Sequence, residues 1–436
     1  VLALLSPRAA ELRDFVEDGL ALRPLSYEPG ATAREAAKLW VLALVVIVAH
    51  KRARSLGRPD KIVAVVVVAG LASGLVALVH RALGVDRMLG VLDAARSPAT
   101  LFTTFVNPNH AAGFMVMTAL SAAGLALVAK RREHTLGWFA AAAVLAVLSV
   151  LGFSRGGLLA MLVGVSLLAW RASRGAGRRG TLVTVASGVA LATVGAVLWR
   201  LDGVLRELAG APADPLGLAA KLGAMKDAWP MIGDHWLLGI GRGAYGSVYP
   251  AYKTYPYQYT FTHPENFVVQ ALSDWGVVLG AAAVVALVVS IGRRLWGTPS
   301  LVAVGALAGV VAVLVQNLAD FSLELLGVSL PCAALVGATG AGVLPTLGVH
   351  LPRRSRTAVV GALVATPLLL ALVLGARLGD LDDDLATLSA AVRASTRPEL
   401  EALLPIQARH PAHAVVAAQL SFFVETSSAA RSPRTA

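Results

Sequence analysis

Long apolar stretches recur along the chain, separated by short polar intervals, most of them rich in Lys or Arg. Uncharged runs able to cross roughly 30 Å of hydrocarbon read as membrane-spanning helices. The pattern predicts ten spans, at about 36–50, 62–80, 111–129, 136–153, 157–172, 181–199, 266–291, 301–319, 325–346 and 357–375. The first is short for a span, and the fourth and fifth meet at a tight break containing Arg155. One polar interval, 200–264, is much longer than the rest. Within it, "LAAKLGAMKDAWP" places Leu218, Leu222, Met225 and Trp229 at helical spacing. This predicts an amphipathic helix that stops at Pro230 and lies on the membrane or on the bundle, with Lys221 and Asp227 on its opposite face. The expected fold is all-α: a polytopic transmembrane helix bundle of about ten spans, with one long external loop containing short amphipathic helices.

Composition agrees with membrane residence. Of 436 residues, 56% are hydrophobic and 15% charged, against about a quarter charged in soluble domains; the mean hydropathy is +0.69. A formal charge of +12 raises nucleic acid as a partner, but the basic residues sit in the breaks between apolar runs, the signature of membrane topology. Alternate breaks hold 17 Lys and Arg against two acids, Asp60 and Glu133, and the intervening short breaks hold only Arg81, Arg87, Arg96 and Arg155. The positive-inside rule places the first set in the cytoplasm. Residues 1–35, the loop 200–264 and the tail beyond 375 then fall outside.

The chain thus divides into an external N-terminal segment (1–35), a polytopic domain (36–375) and an external tail (376–436). The tail, with "GDLDDD" and "HPAHAVVAAQLSFF", reads as the start of a helical repeat, although one unit does not establish a repeat. The first residue is Val and no signal peptide is visible, so the expectation is a truncated start or an unusual initiation codon. The single cysteine, Cys332, lies in an apolar run, which rules out an intrachain disulfide and a multi-cysteine metal site.

Polar groups gather on the external side. Asn107, Asn109 and His110 precede the third span, and Ser154 and Arg155 stand between the fourth and fifth. Lys221 and Arg242 lie in the long loop, His263 and Glu265 open the seventh span, and Asp320 and Glu324 end the eighth. An arginine at membrane depth is costly unless paired or hydrated. Arg155 suits either snorkelling to lipid phosphate or a bidentate clamp on a pyrophosphate. His263 and Glu265 suit a general base or, with Pro264 and Asn266, a helix cap. The three residues before the third span read equally as turn and cap residues. "GIGRGAYG" follows no predicted strand, so it fails as a dinucleotide fingerprint and reads as a flexible loop presenting Arg242 to an anion. Six of the seven tyrosines lie in the long loop, where an interfacial aromatic belt is the first expectation. No cluster has the ligand count of a metal site.

In order and placement, "FVNPNHAAGF", "LGFSRGGLLAML", "GIGRGAY", "THPENFVVQALSDWGVVLG" and "LADFSLELLG" resemble the O-antigen ligase and polymerase family, over about residues 24–346. The resemblance implies transfer of a glycan from undecaprenyl pyrophosphate to an acceptor hydroxyl, on an acceptor glycan or lipid A core, in the bacterial inner membrane and on its outer face. It implies no cofactor, no metal and an inverting displacement. By position, Arg155, Arg242 and Lys221 would hold the pyrophosphate, although Lys221 stands where many relatives have arginine. Asn107, Asn109, His110, Asn266 and Asp320 would support the site. The family's His-Asn pair is replaced here by Glu265-Asn266, with His263 two residues earlier, so the base is His263 or Glu265. Ligase, polymerase and protein O-glycosylation differ in acceptor. A multi-span transporter and an inactive relative are the alternatives from other classes.

Overall fold

The computed structural model describes residues 25–85, 87–89, 92–93, 103–151, 154–174, 218–254, 261–298, 300–340, 361, 381–393 and 405–406. Its principal elements are helices α1 (Pro29–Ser55), α2 (Asp60–Ala82), α3 (Pro108–Val128), α4 (Arg132–Leu151) and α5 (Arg155–Ser173). They continue with α6 (Leu218–Asp234), α7 (Tyr245–Val248), α8 (Phe267–Gly297), α9 (Leu301–Gln316), α10 (Leu326–Thr339) and α11 (Leu381–Arg393). A two-residue hairpin, Arg87–Met88 with Leu92–Asp93, follows α2. The chain is an all-α polytopic membrane bundle. Among the described residues five helices (α2, α3, α4, α5 and α8) are long and apolar enough to cross a membrane, and α9 and α10 are shorter apolar helices. The predicted spans at 181–199 and, but for Gly361, 357–375 lie outside the described residues.

α3 is the centre of the bundle, flanked by α2, α4, α5 and α9. Its sequence is apolar on every face, the property of a helix surrounded by others, and it is buried along most of its length. Close packing on α9 depends on small residues. A Cβ on Gly124 would stand 2.8 Å from Leu301 O, and one on Gly309 would stand 2.6 Å from Met117 O. Helix association in lipid uses such small-residue faces, because lipid tails supply no hydrophobic drive between helices. Val65, Val68, Val278 and Val288 lie on the outside of the bundle, exposed toward what would be lipid.

Two expectations need correction. α8 is not one straight span: Gly276 has φ 76° and ψ 170°, so a short segment from Phe267 to Trp275 meets the longer run at a sharp break. That backbone region is essentially reserved for glycine. α6 does not stop at Pro230 but runs on to Asp234. It also turns a different face inward. Ala224, Asp227, Ala228, Met231 and Ile232 are buried, while Leu222 and Trp229 are exposed. Leu222 and Trp229, two of the four residues that carried the amphipathic reading, therefore point away from the loop's own core, as in a helix resting on a membrane surface.

Candidate active site

The N-termini of α1, α3, α5, α8 and α10 gather at one end of the bundle, with the C-terminus of α9 among them. Lys38 of α1 reaches Glu324 before α10, and Gln316 at the end of α9 donates to Asn109 O. The position of a Cβ on Gly156 of α5 lies 3.4 Å from Gln316. Helix N-termini carry partial positive charge, so this end of the fold is predisposed to anions.

The long loop is locked onto the α8 break. At the break the carbonyls of Ser273 and Asp274 lose their partners within the helix. Ile240 N and Gly241 N donate to them instead, at 2.9 and 3.1 Å. In return Val277 N donates to Trp236 O. Gly239, Gly241 and Gly243 all have positive φ, so the glycines of "GIGRGAYG" give the path by which this strap follows the break. Tyr27 N donates to Ile240 O, and Thr32 Oγ1 donates to Arg242 O. Tyr27 and Thr32 thereby fasten the start of α1 and the residues just before it to the same strap.

Arg242 projects from the strap into three carboxylates. Nε lies 3.1 Å from Glu35 Oε2 and Nη1 3.0 Å from Asp274 Oδ2, while Nη2 binds Glu324 Oε2. Burial works against the guanidinium charge, and Glu324, Asp274 and Glu35 together outweigh it, raising the pKa above its ordinary value. Lys38 adds a second cation, 2.6 Å from Glu35 and 3.1 Å from Glu324. For Glu324 burial is overcome by Arg242, Lys38 and His263, which hold its carboxyl below the usual range.

A second cluster surrounds the start of α8. Glu265 is 7% exposed and has φ 57°, a left-handed conformation rare for such a side chain. Its carboxylate stands 2.7 Å from Lys221 of α6, which also donates to Ala319 O. Burial raises the Glu265 pKa, and Lys221 only partly offsets that. His263 stacks on Phe321, with ring centroids 4.9 Å apart, and its Nδ1 is 3.0 Å from Thr262 Oγ1. Burial lowers the His263 pKa. His110 meets the same Phe321 edge-on and lies 3.2 Å from Asp320, whose other oxygen accepts from Gln316.

The structure thus brings His110, Lys221, Arg242, His263, Glu265, Asn266 and Asp320 into one collar. Two predicted residues also hold backbone there. Asn266 caps α8 through Val268 N and Val269 N and binds Leu318 O. Asn107 caps α3 by accepting from Asn109 N. Arg155 opens α5 behind the cap formed by Ser154 on Gly157 N, and its side chain is exposed. The aromatic-belt expectation fails for Tyr245 and Tyr249 of the long loop. Tyr245 and Tyr249 are buried and stacked 5.1 Å apart, forming the loop's own core with Met231 and Ile240. Tyr255, Tyr257 and Tyr259 lie outside the described residues.

Glu35, Lys38, Gln270 and Asp274 are the residues that motif reading missed. Asp274 had a signal: a carboxylate inside an apolar helix demands a partner. Glu35 and Lys38 stand one turn apart just ahead of an apolar run, which reads as ordinary flanking charge.

No curated protein matches the chain. A family model described as O-antigen ligase matches residues 140–283, about a third of the chain. The matched segment runs from within α4 to beyond the α8 break and contains Arg155, Lys221, Arg242, His263 and Glu265. That match, with the all-α membrane bundle around it, supports kinship with the O-antigen ligase/polymerase family of membrane proteins.

Proposed function

We propose that the chain is a glycosyltransferase of the inner membrane that moves a glycan from undecaprenyl pyrophosphate to an acceptor hydroxyl on the periplasmic face. The acceptor oxygen attacks the anomeric carbon, its proton passes to Glu265, and the bond to the pyrophosphate breaks with inversion. Charge developing on the leaving group is met by Arg155, Arg242 and Lys221 and by the surrounding helix N-termini, without a metal. Glu265 is preferred to His263 as the base because it occupies the family's His position ahead of Asn266. Its strained, buried setting beside Lys221 is also typical of functional carboxylates.

The observation that carries this reading is a coincidence of place. The segment matching the O-antigen ligase family supplies the strap, the base candidates and Arg155 to the end of the bundle where the helix N-termini meet. The distribution of basic residues among the breaks favours an external position for that end. Arg155 is the exposed guanidinium of the group, suited to a bidentate hold on pyrophosphate. Arg155→Lys should therefore lose most transfer activity while accumulating normally in the membrane; undiminished activity would remove the clamp.

A further inference from the structure

A narrow cleft opens between the first turns of α8 and the α9–α10 connection, with Asn266, Gln270, Asn317, Asp320, Phe321 and Glu324 in its wall. Its free space is that of one water molecule or one hydroxyl group. The side-chain amides of this wall can be followed one by one, and Asp320 accepts from Gln316 through Oδ2 while its Oδ1 faces His110. Asn266 Oδ1 caps α8 and its Nδ2 donates to Leu318 O. Asn317 Nδ2 donates to Val313 O and Ser322 Oγ, and its Oδ1 accepts from Leu323 N. Gln270 Nε2 donates to Asp274 Oδ1 at 2.7 Å. Each side-chain amide nitrogen of the wall therefore donates to a group within the fold.

What is left over is acceptors. Gln270 is 5% exposed and its Oε1 has no hydrogen-bond partner. Glu324 binds Arg242 and Lys38 through Oε2, which leaves Oε1. A buried amide oxygen without a partner is rare in folded proteins. Here it borders a space that accommodates a single donor group. Phosphate oxygens, being acceptors themselves, are excluded by this wall. A sugar hydroxyl fits it.

We infer that this notch is the subsite for one hydroxyl of the acceptor glycan, with Gln270 Oε1 as its hydrogen-bond acceptor and Glu324 Oε1 as a second. The inference rests on the glycan-transfer reading above and assigns a specificity role to Gln270. The wall suits a sugar hydroxyl rather than the carrier's pyrophosphate, and the subsite is assigned to the acceptor, an assignment that the donor KM below tests.

The test is a cycle between protein and substrate. The full chain in proteoliposomes is given a fixed lipid-linked glycan and a series of acceptors, each lacking one hydroxyl. For the wild type, removing one particular hydroxyl should lower kcat/KM about five- to tenfold, the scale of one neutral hydrogen bond. Gln270→Met should show a similar loss with the complete acceptor, no further loss with that deoxy acceptor, and an unchanged KM for the lipid-linked donor. Gln270→Asn, which draws the oxygen back by one methylene, should show the same insensitivity and serves if the methionine variant does not accumulate. Additive losses at every position, or a raised donor KM, would overturn the subsite while leaving transfer intact. Failure of the wild type to transfer glycan at all would remove the reading and the subsite together.

Discussion

At the scale of single residues, the two base candidates differ in how their surroundings treat charge. Burial lowers the His263 pKa and raises that of Glu265, so both are pushed toward their neutral forms. A carboxylate base works only when ionised. With Glu265 as the base, transfer should fall as pH drops through a pKa above the ordinary glutamate range, and the acid limb of kcat/KM should show it. Lys221 works against burial by favouring the Glu265 carboxylate. Lys221→Met should therefore move that limb to higher pH, and a limb that moves to lower pH would contradict the pairing. Glu265→Gln should reduce turnover about 10²-fold or more, whereas His263→Ala should keep most of it; the reverse order in a transfer assay would assign the base to His263. In the sequence these two residues were balanced between cap and catalyst. The structure gives the cap to Asn266 and leaves Glu265 in a conformation that capping does not require.

At the scale of elements, the strap and the α8 break form one unit. A Cβ on Gly276 would stand 2.5 Å from Leu237 O, in a backbone region that only glycine tolerates. Gly276→Ala should destabilise the protein by roughly 2 kcal/mol or more, read as a lower Tm in detergent. An unchanged Tm would mean that the break is not needed for the strap to dock. Arg242 bears on the same unit, since its removal leaves Glu35 and Glu324 sharing Lys38 alone and Asp274 without a cation in a largely buried place. Arg242→Ala should cost about 3–5 kcal/mol by the general cost of breaking a buried ion pair, so its loss of activity should come with a loss of Tm. Arg155→Lys, by contrast, should leave Tm alone. This break was not legible in the sequence, because "VVQALSDWGVVLG" keeps a helical apolar pattern straight through the glycine. Only the alternating glycines of "GIGRGAYG" announced an unusual path, and they did not say where it docks. The face by which α6 packs on the loop was hard to read for a similar reason: Ala224, Ala228 and Asp227 are the residues that pack, and small or charged residues carry little weight in an apolar pattern.

At the scale of the whole molecule, the hydropathy and charge pattern located the bundle well. Eight of the ten predicted spans fall on helices among the described residues. That success has a physical cause: backbone polar groups in lipid must be satisfied within a helix, so apolar length translates directly into an element. The collar was legible only in part, because its members come from distant parts of the chain. Arg242 and Glu35 are 207 positions apart. The topology can be checked by labelling. In a Cys332→Ser background, Ala251→Cys in the loop should react with a membrane-impermeant maleimide on spheroplasts, and Arg131→Cys only after permeabilisation. The opposite pattern would invert the bundle. The central claim is that this collar transfers glycan from a lipid carrier, and reconstitution tests it most directly. The purified chain in proteoliposomes, supplied with radiolabelled glycan on undecaprenyl pyrophosphate and a panel of hydroxyl-bearing acceptors, should move label to one acceptor class and release undecaprenyl pyrophosphate in equal amount, with Glu265→Gln abolishing both. Label that stays on the lipid with every acceptor, while the same vesicles carry solute across the membrane, would contradict the account.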